Sequence, residues 1–285
     1  LIKNMVNGVI ILPISIAIIK FGYVLNIMSR FNHIKKIRQN LNDNKPSIGT
    51  WIQIPNTSIA EILGHSGYDW VVVDIEHGSI GVHQLPDLFR SVELGGSLPL
   101  VRIAEGRTKD CKQALDAGAG GVIVPMIKNA TQLKTAGDQC RWPPAGKRGV
   151  GFSRANLFGK YFDDYVEEAQ SPLLVAQIEH IRAVENLEEI LQVEGLDAIM
   201  VGPYDLSASL KLTAQFGHED FQNAMNQIIS LCNKYKVPCG DHVVEPDLEK
   251  LKMRINEGYR FIAYGTDAVF LYTSSINPFK NISEE

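Results

Sequence analysis

The chain has 285 residues, 45% of them hydrophobic and 21% charged, with 28 Lys+Arg against 32 Asp+Glu and a net charge of −4. These proportions exclude a disordered, collagen-like or disulfide-stapled chain, and a mildly acidic balance without a Lys/Arg-dense block argues against nucleic-acid binding. The length admits two ordinary domains or one α/β barrel of roughly 250 residues.

Residues 1–28 stand apart from the rest. They hold no acid and two bases, Lys3 and Lys20, so residues 29–285 carry 26 bases against 32 acids, a net −6. Val9 to Ile19 is an apolar run, followed after Lys20 by FGYVLNIM. A spanning helix needs about 20 apolar residues. That length puts Lys20 inside the bilayer, at roughly 2.5–3.5 kcal/mol if central, and Pro13 and the β-branched run weaken the segment as a helix. It is read as a hydrophobic extension outside the folded body: an upstream or disordered tail, a membrane anchor, or a packed extra element. As an anchor it would keep the body cytoplasmic, since Arg30, Lys35, Lys36 and Arg38 outweigh Lys3; membrane contact is expected only in that case. No small-residue cleavage site closes the run, which argues against a secretory signal. Met28-Ser29-Arg30-Phe31 reads as the start of one soluble domain spanning 29–285. Cys111, Cys140, Cys232 and Cys239 form no C-x-x-C pair, so a zinc ribbon or redox motif is not expected, and a reducing, cytoplasmic compartment is.

From residue 45 onward strand and helix patterns alternate. Strands are expected at 48–53, 70–74, 98–103, 121–125, 173–178, 197–201, 237–241 and 261–265, and runs such as VVVD, VIVP and AIMVG are apolar almost throughout, as parallel strands covered on both faces are. Helices follow start signals at Thr57-Ser58, Thr108 and Asn129, and others fit 181–192, 219–236 and 247–257. Eight strands with intervening helices over about 230 residues is the count of a (β/α)8 TIM barrel, a single domain. The rival open doubly wound sheet lacks its fingerprint, since no G-x-G-x-x-G or G-x-x-x-x-G-K-[ST] follows a strand. The longest insertion, 142–170, is rich in Gly, Arg and aromatics and is read as a lid or a subunit contact.

In such a barrel the chemistry lies where strands end. The second strand ends DIEHG, with His77; the third ends LVR, with Arg102; the fifth runs VAQIE to Glu179; the sixth leads into GPYDLS, with Asp205. Two carboxylates without a cysteine or multi-His cluster suit a hard divalent cation, Mg²⁺ or Mn²⁺, with Glu179 and Asp205 as ligands. Such an ion can chelate a 2-oxo acid and stabilise its enolate. Arg102 would add positive charge at the enolate oxygen, and His77 is the proton-transfer group, directly or through water on the metal. A Schiff-base route needs a lysine at the mouth, and Lys128 is the sole nearby candidate. A serine nucleophile lacks G-x-S-x-G, and Ser207 is expected to cap the next helix.

Taken in order, WVVVDIEHG, VIVPMI, WPPAGKRGVG, LVAQIE and VGPYDLS resemble the HpcH/HpaI aldolase family, over about residues 34–275. The resemblance implies a metal-dependent class II aldolase, a carbon–carbon lyase that cleaves a 4-hydroxy-2-oxo acid into pyruvate, or a related 2-oxo acid, and an aldehyde. By position it makes His77 the catalytic histidine, Arg102 the enolate-stabilising arginine, and Glu179 and Asp205 the metal ligands. It pairs the histidine with Asp116, fourteen residues beyond Arg102. It assigns Trp51, Gln177, Gly202 and Tyr204 to substrate binding, with Asp74 and Glu76 supporting. Tyr204 is bulkier than the alanine associated with that place, and His180 stands where threonine is common. The resemblance further implies a homo-oligomer, a hexamer built from dimers that exchange C-terminal elements, with 268–279 at an interface; in this fold specificity is expected to be set by loops, notably 142–170 and 203–218. The alternatives are a metal-dependent decarboxylase of oxaloacetate-like acids and, more remotely, a membrane-tethered protein that binds 2-oxo acids without turnover.

Overall fold

The apolar runs become the strands of a closed parallel barrel in the computed structural model, which describes residues 30–277. The strands are β1 (Ser47–Ile52), β2 (Trp70–Asp74), β3 (Leu98–Arg102), β4 (Gly121–Val124), β5 (Leu173–Ile178), β6 (Ala198–Val201), β7 (Cys239–Val243) and β8 (Phe261–Thr266). Each pairs with the next in chain order, and β8 closes on β1. All eight lie within two residues of their expected positions. The helices are α1 (residues 30–42), α2 (Thr57–Gly64), α3 (Leu85–Gly95), α4 (Thr108–Asp116), α5 (Ala130–Cys140), α6 (Phe162–Gln170), α7 (Ile181–Glu185), α8 (Leu187–Ile190), α9 (Pro203–Ser209), α10 (Glu219–Tyr235), α11 (Leu248–Asn256) and α12 (Asp267–Ser274). The helix expected at 181–192 is two, broken at Asn186, whose Nδ2 donates to the Lys128 carbonyl at 2.9 Å.

Side chains alternate between two destinations along each strand, as the period of two requires. Val71, Val73, Val101, Val122, Val124, Leu174, Ala176 and Ile178 face the helices in one buried cluster. Trp70, Val72, Leu98, Leu100, Ile123, Leu173, Val175, Ala198, Met200, Phe261 and Ala263 fill the barrel interior in another. Gly49 belongs to that interior because Trp70 fills the space beside it: a Cβ there would lie 2.0 Å from the indole.

The interior cluster also includes Ile34, Ile37 and Leu41 of α1. Their i, i+3, i+7 spacing puts them on one helix face. Because α1 leads directly into the start of β1, it plugs the barrel at the N-terminal ends of the strands. Arg38 fixes it there through Asp197, at 2.7 and 3.0 Å, and the Ser171 carbonyl at 3.0 Å. Buried Arg30 pairs with Glu168 and donates to the Ala155 carbonyl at 2.8 Å.

Segment 142–170 joins the end of α5 to the start of β5, so it lies at the plugged end of its own barrel. Of the two readings, a lid or a subunit contact, connectivity excludes a lid over this chain's own mouth, and with it a part in specificity at that mouth. It folds around Trp142, Ala155, Tyr165 and Ala169, with fully buried Arg148 donating to Tyr165 Oη at 3.1 Å. Ser207 is not a cap for a following helix: it lies inside α9, and its hydroxyl accepts the Ala214 N–H at 3.0 Å. Among the described residues no helix is long and apolar enough to cross a membrane. The extension at 1–28 and the end of the 268–279 segment lie outside the described residues.

Candidate active site

At the open end of the barrel the inward columns turn from apolar to polar. Trp70 and Val72 lead to Asp74; Leu98 and Leu100 to Arg102; Leu173 and Val175 to Gln177 and then Glu179; Ala198 and Met200 to Gly202. A strand supplies polar groups at its end because only there does the interior meet water; further down, an unpaired polar group costs about 1–3 kcal/mol.

Asp74 organises one half of the site. Fully buried, it accepts Arg102 Nε at 2.9 Å and Nη2 at 2.6 Å, Gln53 Nε2 at 3.1 Å, and the backbone N–H groups of Glu76 and His77 at 3.1 and 3.3 Å. Burial works to raise its pKa, but the fork and charge of Arg102, with Gln53 and the His77 N–H, outweigh it and hold the carboxyl below its ordinary value. Such a bidentate pair holds the Nε–Nη2 edge of the guanidinium. Two Arg102 nitrogens are used, and Nη1 makes no hydrogen bond among the described residues. The Arg102 guanidinium also lies 4.5 Å from the Trp51 ring centre and 3.1 Å from Glu76 Oε2. That last oxygen is buried without a hydrogen bond. Burial, and after it the charges of Asp74 and Asp205, push Glu76 up to about 6 against the pull of Arg102. His77 follows on the exposed rim, its backbone fixed by Asp74.

Glu179 organises the other half. Its Oε1 accepts the Met126 N–H at 2.6 Å and its Oε2 accepts Gln177 Nε2 at 2.6 Å. The backbone of β6 comes so close that a Cβ on Gly202 would lie 2.6 Å from Oε2, so glycine is required there. Burial raises the Glu179 carboxyl first, the Met126 N–H pulls it back, and Glu76 and Asp205 push it up further, to about 7. Asp205, in the first turn of α9, is exposed and forms no hydrogen bond or ion pair among the described residues. Three mutually repelling carboxylates with oxygen-only donors fit a hard divalent cation, and Glu179 and Asp205 are the pair that could hold it. No group of three or more His, Cys, Asp or Glu suited to a metal occurs among the described residues, so water and substrate oxygens would complete the shell. Trp51 Nε1 and Gln177 Oε1 are buried without partners, and unpaired polar atoms at a barrel mouth are groups a polar ligand can satisfy.

Asp116 is not brought to this site. Helix α4 runs antiparallel to β3, so its nine residues, about 13 Å of rise, carry Asp116 to the plugged end. There its carboxylate accepts Arg148 Nη1 at 3.1 Å. Pairing of His77 with Asp116 within one chain is thus corrected. Tyr204 is 59% exposed and meets Phe216 edge-on at 5.0 Å, forming a rim wall. Beside it a cavity of about 650 Å³ runs from Pro203 and Tyr204 past His242 toward the Asp241–Arg254 ion pair, 2.7 Å long. His180 does what a threonine would, capping α7 by accepting the Arg182 N–H at Nδ1, 3.1 Å.

Four contributors were not singled out from the sequence. Gln53, directly after β1, and His242 on β7 continue the inward columns, a signal the period of two contains. Asp267 accepts the Gln53 and Ile54 N–H groups at 2.9 Å each, securing the end of β1. Met126 acts through its backbone, at φ 53°, which no residue pattern encodes.

The family model described as HpcH/HpaI aldolase/citrate lyase matches residues 47–274. A hydroxypyruvate/pyruvate aldolase of Roseobacter denitrificans is 34% identical over 242 residues, 84% of this chain and 93% of that protein. A 2-keto-3-deoxy-L-rhamnonate aldolase of Salmonella gallinarum is 35% identical over 243 residues, covering 84% and 90%. Among solved structures, an HpcH/HpaI aldolase/citrate lyase family protein from Burkholderia cenocepacia superposes with a TM-score of 0.81 at 30% identity, covering 87% of this chain and 99% of that one.

Proposed function

The chain belongs to the HpcH/HpaI aldolase/citrate lyase family and is an aldolase, a carbon–carbon lyase, and from that premise we propose how its barrel mouth works. The substrate is a 4-hydroxy-2-oxo acid, split into pyruvate or a related 2-oxo acid and an aldehyde. The observation that carries this reading is the meeting of a clamped guanidinium with a free Nη1 and a carboxylate pair, Glu179 and Asp205, that forms no ion pair among the described residues. Arg102, clamped by Asp74, presents Nη1 to the oxygen on which enolate charge develops, where an already oriented donor is most effective. Glu179 and Asp205 hold Mg²⁺ or Mn²⁺, which when bound supplies Lewis-acid stabilisation of the 2-oxo acid and its enolate. Gln177 and Trp51 offer their unpaired polar atoms to the substrate, and the backbone at Gly202 and Tyr204 faces its carboxylate. His77 takes the 4-hydroxyl proton, the C3–C4 bond breaks, and the electron pair passes into the enolate. Tyr204 bounds the aldehyde side. Asp116 has no part in this intrachain arrangement.

Exposed Leu271, Tyr272 and Ile276 at the end of the chain support assembly of like copies, which we read as a hexamer. Four buried free thiols are in keeping with the cytoplasm. The test is to offer pyruvate and a panel of aldehydes with Mg²⁺ or Mn²⁺ and weigh the products. A new species with the mass of pyruvate plus aldehyde supports the reading. Carbon dioxide from oxaloacetate with no aldehyde adduct from any partner would establish the decarboxylase instead.

A further inference from the structure

Arg102 is one end of a stack. The Trp51 indole beneath its guanidinium lies parallel to the His242 imidazole, 5.3 Å between centroids and 14° between planes. His242 projects inward from β7, and its Nε2 lies 3.1 Å from the Gly265 carbonyl of β8. A ring nitrogen facing a carbonyl carries the proton, so the ring is oriented by that bond. Burial, and with it the charge of Arg102, pushes its pKa down to about 4, although the Gly265 carbonyl pulls the other way. The ring is therefore neutral and adds no repulsion beside the guanidinium.

The stack matters because neither partner is fully fixed by polar contacts. Asp74 holds two nitrogens of Arg102 but leaves the guanidinium able to hinge about that edge, and the hinge sets where Nη1 points. Trp51 restrains the hinge by offering its face, an attraction of about 0.5–2 kcal/mol in general. Yet Trp51 Nε1 has no hydrogen bond, so packing alone orients the indole. His242 is the planar group that supplies this packing.

We propose that His242 is a positioning residue for the aldolase reaction, bracing Trp51 and through it aiming Arg102 Nη1 at the enolate oxygen. This rests on the role of Arg102 given above. The sequence pattern around β7 assigned His242 no function, and its contribution is visible only as this juxtaposition.

The test compares His242→Ala and His242→Phe in the full chain with Mg²⁺, reading kcat and KM together with the near-UV circular dichroism of the tryptophans. His242→Ala should lower kcat roughly tenfold with KM changed less than about threefold, since the loss falls on the transition state. It should also alter a tryptophan band that is missing in Trp51→Phe. His242→Phe keeps a planar face and should bring kcat back to within about threefold of the parent. In a double-mutant cycle with Arg102→Lys the effects should be non-additive, because both act through one guanidinium. A parent-like kcat in His242→Ala, equal impairment in His242→Phe, or strict additivity overturns the proposal. Full turnover by Arg102→Ala would instead overturn the assigned role of Arg102, a separate outcome.

Discussion

The two ends of this barrel are built from the same inward columns and do opposite things. At the N-terminal ends, Trp70, Leu98, Leu173, Ala198 and Phe261 meet Ile34, Ile37 and Leu41 of α1 in a sealed apolar plug. Four residues further along the same columns stand Asp74, Arg102, Gln177 and Gly202, and Glu179 stands six further. The difference shows that stability and chemistry are divided by depth, not by segment: one strand serves both. At the plugged end the charges are paired with one another, Arg38 with Asp197, Arg30 with Glu168 and Arg148 with Asp116, although Glu168 Oε2 and Arg148 Nε are buried there without a hydrogen bond. The mouth leaves Trp51 Nε1 and Gln177 Oε1 without a hydrogen bond, and Glu76 Oε2 with an ion pair to Arg102 alone.

Breaking the mouth should leave the plug intact. Glu179→Gln keeps the shape and one acceptor but removes the charge, and it should cut kcat/KM by roughly 10³-fold, about 4 kcal/mol. Its metal-free unfolding midpoint should not fall, since burying a neutral amide replaces a carboxyl that burial and its neighbours disfavour as an anion. Steady-state kinetics beside thermal melts test both halves. A melt lowered as much as that of a core variant would contradict the division.

Breaking the plug should have the converse effect. Ile37 is buried against the barrel floor, and Ile37→Ala should lower unfolding stability by about 3 kcal/mol through lost burial and a cavity. The kcat of the remaining folded protein should stay within about twofold of the parent. Urea unfolding and activity at a temperature well below the melt separate the two quantities.

The mouth also gives stability a pH signature that the plug lacks. Glu179 is raised from 4.5 to about 7 in the folded chain, so the unfolded state is the more readily ionised there. Without metal, stability should be greatest below pH 4.5 as far as this group is concerned and should fall as pH rises through 7, by on the order of 2 kcal/mol. A divalent cation, which needs the ionised carboxylate, should reverse the slope, its melting shift growing from pH 5.5 to 8. Melts over this range with EDTA or Mg²⁺ measure it; a metal shift that does not depend on pH would contradict it. The smallest effect belongs to the rim: Tyr204→Ala should change KM for the aldehyde about three- to tenfold and that for pyruvate far less, in the addition direction.

Much of this was legible because its physics is local. Strand runs such as VVVD and AIMVG are continuously apolar, and charged residues at or just after their ends mark the rim, so Glu179, Asp205, Arg102 and His77 could be placed at the mouth by position. Asp74 clamping Arg102 was not foreseeable, since the pairing depends on register between β2 and β3, where Asp74 lies opposite Arg102. Asp116 does not reach His77 within one chain, because α4 returns antiparallel to β3 and carries it to the plugged end. His242 was passed over because the strand expected at 237–241 stopped one residue short of it, whereas β7 runs on to Val243. Met126 contributes a backbone N–H, which every residue but proline carries.

The central claim, that Arg102 and a metal held by Glu179 and Asp205 stabilise a pyruvate enolate, is tested most directly by solvent exchange of the C3 protons of pyruvate in D₂O, followed by NMR. With Mg²⁺ the parent chain should exchange them. EDTA, Glu179→Gln and Arg102→Ala should each reduce the rate by at least about a hundredfold. Exchange that survives complete metal removal and is stopped by borohydride would contradict the account and establish a Schiff-base route.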